Sequence, residues 1–206
     1  MNNIFESIAS LIECFIVVRF CNRFLGFKNA KLNWLKSILI FGLLAADNIL
    51  FSQLSGFENI SIMLLLIFIF LYSLLFLNGR IYEKMLVTIV PTITALPINL
   101  IVIQTFSALS HCSVLELTNQ NGDLRIMVLF FSKLAFFFVC EILIKMRKRG
   151  GYSLSKVQWG IQLSCFLLSF LISNSLWSIS RVYTENQPKF LLVYIMIVAL
   201  NVLLFV

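Results

Sequence analysis

Charge is what this sequence has least of. Only 12% of its 206 residues are Asp, Glu, Lys or Arg, whereas 60% are hydrophobic and 21 are phenylalanine. Soluble domains carry about a quarter charged residues, because a globule in water needs polar atoms over its surface. The shortage of charge therefore excludes an ordinary soluble domain and predicts a protein that places its apolar surface in lipid.

Residues that interrupt helices are also scarce, with three prolines and eight glycines. The alternation of apolar and polar residues that marks a membrane β-barrel is missing. The stretch Ile60 to Leu77 holds 18 residues without a charge. At a rise of about 1.5 Å per residue it reaches roughly 27 Å, close to the thickness of a bilayer core of about 30 Å. The sequence therefore predicts an all-α, polytopic transmembrane helix bundle without a soluble catalytic domain.

The apolar runs predict about seven helices in one transmembrane domain, residues 1–206. The predicted helices are 4–20, 34–52, 60–77, 85–109, 126–144, 157–180 and 190–206. The first contains Glu6, Glu13 and Arg19, and the second contains Asp47 next to Asn48. Either helix could lie tilted or partly in the interface, which would leave five or six true crossings.

The orientation is predicted from the sixteen lysines and arginines, most of which fall in three blocks, 19–36, 80–84 and 145–156. These blocks follow the first, third and fifth predicted helices and so share one side of the membrane. Because cytoplasmic loops are enriched in Lys and Arg, we expect the amino terminus outside and the carboxyl terminus in the cytoplasm of a bacterial cell. The largest outer loop is then 110–125.

Few residues are suited to catalysis or metal binding. The one histidine is His111, and the five cysteines include no CxxC pair, so no metal site, disulfide framework or cofactor is predicted. The adjacent His111 and Cys112 suggest a nucleophile with its base, as in a small membrane peptidase, but sequence neighbours seldom aim at each other. The net charge of +7 does not indicate nucleic acid, because the basic residues sit in short blocks between apolar runs.

Ionisable residues inside the predicted helices are the main candidates for a ligand site or switch, since each costs roughly 2.5–3.5 kcal/mol at a helix centre. Asp47 and Lys133 fall at similar predicted depth, so we expect an ion pair that either contacts ligand or only fixes helix register. Glu6, Ser10 and Glu13 share one face of the first helix. That stripe faces either the bundle interior or water at the helix end.

Two prolines mark the fourth predicted helix. Pro91 and Pro97 remove backbone donors, and Asn99 belongs to a polar face of the same helix. The helix is therefore a candidate hinge, with a passive kink as the alternative.

The sixth predicted helix has a seam of small residues. Cys165, Ser169 and Ser173 recur at four-residue spacing. Small side chains let membrane helices approach closely, so we expect this face to pack on another helix.

A succession of features between Leu124 and Ser180 resembles a known family. An apolar helix carries Ser132-Lys133, a basic run covers 145–149, and 152–155 with Trp159 precede another apolar helix. This order is similar to the amino-terminal membrane region of GHKL-type sensor histidine kinases, the group with peptide-pheromone receptors of the accessory gene regulator kind. The resemblance covers about a third of the chain; over the first 120 residues only topology and the acidic first helix agree.

The resemblance implies a homodimeric receptor for an extracellular peptide that signals to a cytoplasmic kinase domain. The last run is apolar to Val206, so we expect a further domain in the parent protein, with a natural short protein or a gene fragment as the alternative. We expect no kinase activity from these 206 residues, because they hold no nucleotide-binding loop. A small membrane transporter, or a substrate-binding membrane subunit, is the alternative function.

Overall fold

The structure is a computed structural model that describes residues 2–28, 33–52, 58–110, 112–119, 122–150, 156–180 and 187–205. Its helices are α1 (Asn2–Leu25), α2 (Asn33–Ser52), α3 (Glu58–Phe76), α4 (Ile81–Ser110), α5 (Val114–Asn119), α6 (Asp123–Gly150), α7 (Lys156–Ser180) and α8 (Gln187–Phe205). Within these described ranges no strand occurs beyond an isolated bridge between Phe27 and Leu77. Seven long helices confirm the predicted all-α bundle.

Each predicted helix corresponds to one long helix, and two of them extend well past the predicted ends. The first was predicted to end at residue 20 and ends at Leu25; the fifth was predicted to end at 144 and α6 ends at Gly150. The predictions followed the apolar runs, whereas backbone hydrogen bonding continues into the basic flanks. Basic residues at a helix carboxyl end are favoured by the helix dipole, which explains both extensions.

The short helix α5 was not predicted. It begins with a capping box, in which the backbone N–H of Glu116 donates to Ser113 Oγ at 3.2 Å and the N–H of Ser113 donates to Glu116 Oε2 at 2.8 Å. These two bonds satisfy donors that a helix start leaves free. The Ser-x-x-Glu spacing was present in the sequence, within the stretch interpreted as a polar outer loop.

The chain forms two compact units, Met1–Thr92 and Ile93–Val206. In the first unit α1 packs on α2 and α2 packs on α3. Its fully buried side chains include Phe20, Leu44 and Ile69, one from each of these helices. In the second unit α7 packs on α8, and α6 contacts α5 and α8.

Helix α4 runs unbroken through both prolines. It spans 30 residues, and the boundary between the two units falls inside it, directly after Thr92 and next to Pro91. Pro91 and Pro97 are both buried. The hinge assigned to these prolines remains a prediction.

Three helices are long and apolar enough to cross a membrane: Ile81–Ser110, Asp123–Met146 and Val157–Ile179. Met63–Phe76 and Lys189–Leu203 are shorter apolar helical stretches among the described residues. Large apolar side chains such as Phe130 and Leu171 are exposed on their helices, as expected for surfaces that face lipid. By length and composition the chain is therefore a membrane-associated helical protein.

Candidate functional site at the end of helix α4

Gln104 is a buried amide on α4 whose hydrogen bonds are not satisfied by the protein. Its side chain is 1% exposed, and neither the amide nitrogen nor the amide oxygen bonds to any described residue. A buried polar group without a partner costs about 1–3 kcal/mol. The cost is removed when a water molecule or a ligand supplies the missing donor and acceptor.

The buried face of α4 around Gln104 is mixed in polarity. Leu100 and Ser107 are four residues before and three residues after Gln104, so helical periodicity places them on the same face, and both are buried. Asn99 is half-buried, and its Oδ1 accepts no hydrogen bond from the described residues. Polar groups with unused hydrogen-bonding capacity thus recur along the last three turns of α4.

Helix α5 is fastened to the end of α4 by a side-chain hydrogen bond. Ser107 Oγ donates to the backbone oxygen of Cys112 at 2.6 Å, one residue before the capping box begins. Val114 and Leu117 of α5 are 1% and 2% exposed, so the short helix buries one apolar face. The segment 112–119 therefore lies folded over this end of the unit.

An apolar cluster joins four helices at the same end of the second unit. Ile103 of α4, Val114 of α5 and Val128 of α6 form its buried centre, and Phe106 of α4 and Trp177 of α7 pack against it. Helix α4 ends here, α6 begins here and α7 ends here, so one end of the second unit gathers all four. We call this set of residues, together with Gln104 and Ser107, the α4 end site.

Glu116 lies in the first turn of α5 and is exposed. The backbone N–H of Ser113, and then its hydroxyl, hydrogen bond with the carboxylate and lower the pKa of Glu116. The capping carboxylate is therefore ionised at neutral pH.

A second polar contact joins α7 to α8. Ser169 Oγ donates to Asn201 Oδ1 at 2.8 Å, and both side chains are buried. Asn201 Nδ2 and the hydroxyl of Ser173, which is fully buried, have no partner among the described residues. The predicted small-residue seam therefore includes the face through which α7 meets α8.

The acidic stripe of α1 lies along the margin of its packed face. Glu6 is exposed, whereas Ser10 and Glu13 are half-buried. Glu6 and Glu13 both take part in interactions with other groups of the protein.

Asp47 and Lys133 are both buried ionisable residues, as the sequence suggested. Asp47 lies on α2 in the first unit, and Lys133 lies on α6 in the second. Each has an interaction with other groups of the protein. The ion pair between them remains a prediction.

One consequence of Pro91 was missed from sequence. A proline has no N–H, so the backbone oxygen of Val87, four residues earlier, loses its helical partner. The thiol of Cys21, which is fully buried on α1, donates to this oxygen at 3.8 Å. The contact between this thiol and the freed carbonyl depends on the three-dimensional arrangement of α1 and α4 and was not predicted.

A hydrogen-bonded network across three helices was also missed. Asn22 of α1 donates from Nδ2 to Ser37 Oγ of α2 at 2.9 Å, and its Oδ1 accepts from the Tyr72 hydroxyl of α3 at 2.8 Å. Asn22 lies beyond residue 20, where the first helix was predicted to end, so it was interpreted as part of a flank.

The fold and these buried polar groups define an all-α protein of the membrane class. No family model, curated protein or solved structure matches the chain. The functional assignment therefore depends on the geometry described above and on the chemistry it permits.

Proposed function

We propose that the chain is the membrane-embedded signal-reception domain of a two-component sensor kinase, and that it binds an extracellular peptide at the α4 end site. The observation that supports this proposal is the Gln104 amide, buried and without a hydrogen-bond partner among the described residues. A ligand group that offers both a donor and an acceptor would satisfy the amide and remove the free-energy cost of its burial.

A peptide fits this chemistry. A carboxamide presents one donor face and one acceptor face, which are complementary to the C=O and N–H of a peptide bond. The apolar cluster at the same end of the unit, with Phe106 and Trp177, offers apolar and aromatic surface for a hydrophobic side chain of the same ligand. Ligand sites commonly combine an apolar lining with a few polar groups that fix orientation.

Two hydrogen bonds offer a route for the signal. Ser107 joins α4 to the segment before α5, and Ser169 joins α7 to Asn201 of α8. A ligand that displaces Trp177 would move the end of α7, and the α7–α8 contact would pass this movement to α8 and on to a cytoplasmic output domain. The ligand shifts the equilibrium only as far as its affinities for the two states differ.

The proposal includes the orientation and location predicted from Lys and Arg. The α4 end site then faces the outside of a bacterial cytoplasmic membrane crossed by seven helices, with the carboxyl terminus inside. A homodimer is proposed on the resemblance alone.

Binding of peptides from the native culture medium tests the proposal. Wild-type protein, purified and placed in lipid nanodiscs, is expected to bind a peptide fraction saturably, and Gln104→Leu is expected to weaken binding about tenfold, the equivalent of about 1.4 kcal/mol. The matched control is Thr105→Val at the next position, because the Thr105 hydroxyl already donates to Ile101 O within α4. Absence of binding, or equal affinity in the wild type and Gln104→Leu, would refute the peptide site.

The same unsatisfied groups give a transporter some support. Asn99, Gln104 and Ser173 carry polar atoms without partners in the described part of the second unit, and intramembrane polar residues often mark a substrate path. Uptake of a small solute by reconstituted vesicles, together with no peptide binding, would favour this second function.

A further inference from the structure

Two lysines in the first unit converge on the carboxyl end of α3. Lys28 Nζ donates to the backbone oxygens of Leu74 and Leu75, and Lys84 Nζ donates to the same Leu74 oxygen at 3.4 Å. Because both ammonium groups bond one oxygen, their nitrogens lie within about 6 Å of each other. Like charges at this separation repel, so an anion bound beside them would stabilise the arrangement.

The connection between α1 and α2, which carries Lys28, is hydrogen-bonded to the connection between α3 and α4, which precedes Lys84. Phe27, between α1 and α2, bridges Leu77, between α3 and α4. The N–H of Lys28 donates to Phe76 O at 3.0 Å, and Asn78 Nδ2 donates to Phe27 O at 2.9 Å. The two ammonium groups therefore lie at the same end of the first unit, where these hydrogen bonds join the two connections.

Basic side chains outnumber acidic ones at this end of the first unit. A helix carboxyl end contributes only about half an elementary charge. Lys36 adds a further positive group, with Nζ 5.9 Å from the Phe27 ring centroid and 5.7 Å from the Phe76 ring centroid. The acidic side chain in segments 26–28, 33–36 and 74–84 is Glu83, whose Oε2 accepts the N–H of Arg80 at 3.1 Å.

The two lysines differ in their exposure to solvent. Lys84 is 4% exposed, whereas Lys28 is exposed. Capping the last carbonyls of α3 needs only one basic side chain, and Lys28 alone reaches both Leu74 and Leu75. An anion that approaches the end of the unit meets Lys28 at the surface and Lys84 beneath it.

We propose that Lys28 and Lys84 form a binding site for an anionic phosphate group at the membrane interface. A phosphate oxyanion supplies the missing charge and accepts several hydrogen bonds from ammonium groups. Anionic phospholipid headgroups and free inorganic phosphate both carry this chemistry. The site is separate from the α4 end site and does not depend on the proposed receptor function.

Lipid retention by the full chain tests the site. The protein is reconstituted in nanodiscs that contain phosphatidylcholine and phosphatidylglycerol in equal amounts, and the lipids retained after transfer to detergent are measured by native mass spectrometry. We expect preferential retention of phosphatidylglycerol, reduced about fivefold by Lys28→Gln, which is the usual contribution of one lysine near an anionic surface. Lys28→Arg, which keeps the charge, should retain the preference.

The matched control is Lys189→Gln, which removes an exposed lysine of α8 in the second unit. Equal loss of preference in Lys28→Gln and Lys189→Gln would overturn the site, because it would indicate diffuse attraction to net charge.

A second arm separates the two sources of phosphate. Inorganic phosphate is titrated into the protein in nanodiscs of phosphatidylcholine alone, and thermal unfolding is followed. Stabilisation of the wild type but not of Lys28→Gln would establish a site for free phosphate; a lipid preference without this stabilisation would establish a headgroup site. No lipid preference and no effect of phosphate would refute the proposal.

Discussion

The Asn22 network makes a quantitative prediction about how the first unit is held together. Asn22 connects α1 to α2 through Ser37 and to α3 through Tyr72, with bonds of 2.9 and 2.8 Å. Tyr72→Phe removes one hydroxyl and leaves the ring, whereas Asn22→Ala removes both connections. The pair therefore suits a double-mutant cycle, in which one of the two changes is almost isosteric.

The expected magnitudes follow from hydrogen bonds measured between membrane helices, which average about 0.6 kcal/mol and reach about 1.7 kcal/mol. Tyr72 is 3% exposed and Asn22 is half-buried, so the oxygen of Asn22 would be left without this donor in a partly buried setting. We expect Tyr72→Phe to lower the free energy of unfolding by about 0.6–1.7 kcal/mol and Asn22→Ala by about twice that amount. The two changes together should cost little more than Asn22→Ala alone.

The assay is reversible unfolding of the purified chain in mixed micelles, with the denaturing detergent varied and helicity followed by circular dichroism. The coupling energy between the two positions is expected to be at least about 0.6 kcal/mol. The control pairs Tyr72→Phe with Ser169→Ala in the second unit, for which the effects should add. Coupling of Asn22 to Tyr72 below about 0.3 kcal/mol, the usual limit of additivity, would refute the network.

Three further predictions concern other parts of the chain. If Asp47 and Lys133 pair, the exchange of the two charges should restore the stability lost in each single neutral variant, whereas failure to restore it in unfolding assays would refute the pair. Gly79→Ala should destabilise the protein by about 1–3 kcal/mol in thermal unfolding, because φ is +101° and the added carbon would lie 2.7 Å from Glu83 Oε2; an unchanged midpoint would contradict this. The pKa of Glu116 is lowered in the folded protein, so its stabilisation of α5 is present above the unfolded pKa and is lost as the pH falls through the folded pKa. Amide hydrogen exchange in 113–119 should therefore become faster than its intrinsic pH dependence as the pH falls through the folded pKa. Exchange rates that follow the intrinsic dependence would contradict the capping role.

The helices were predictable because their cause is local. Runs such as 60–77 are long, apolar and almost free of breakers, and in lipid such a run satisfies its backbone only as a helix. The ends of α1 and α6 were less predictable, because hydropathy falls at Arg19 and Lys145 while helical hydrogen bonding continues. Helix α5 carried a local signal, the Ser113 and Glu116 spacing, within a stretch interpreted as a loop.

The α4 end site was only partly predictable. The sequence placed Asn99 on a polar face of the fourth helix, but the burial of Gln104 without a partner depends on tertiary packing. The same holds for Cys21, whose hydrogen bond exists because Pro91 frees a carbonyl on a different helix. Charge and hydropathy along the chain do not encode which groups from distant segments meet.

The central claim, that the end of the second unit carrying α5 faces outside and receives a peptide, is tested most directly by thiol labelling in intact cells. A cysteine is introduced as Asn119→Cys in a chain in which Cys112 is replaced by serine, and a membrane-impermeant maleimide is added with or without the peptide fraction of the culture medium. We predict labelling in intact cells that is slowed when the peptide fraction is present. Labelling only after the cells are permeabilised, or at the same rate with and without peptide, would contradict the account.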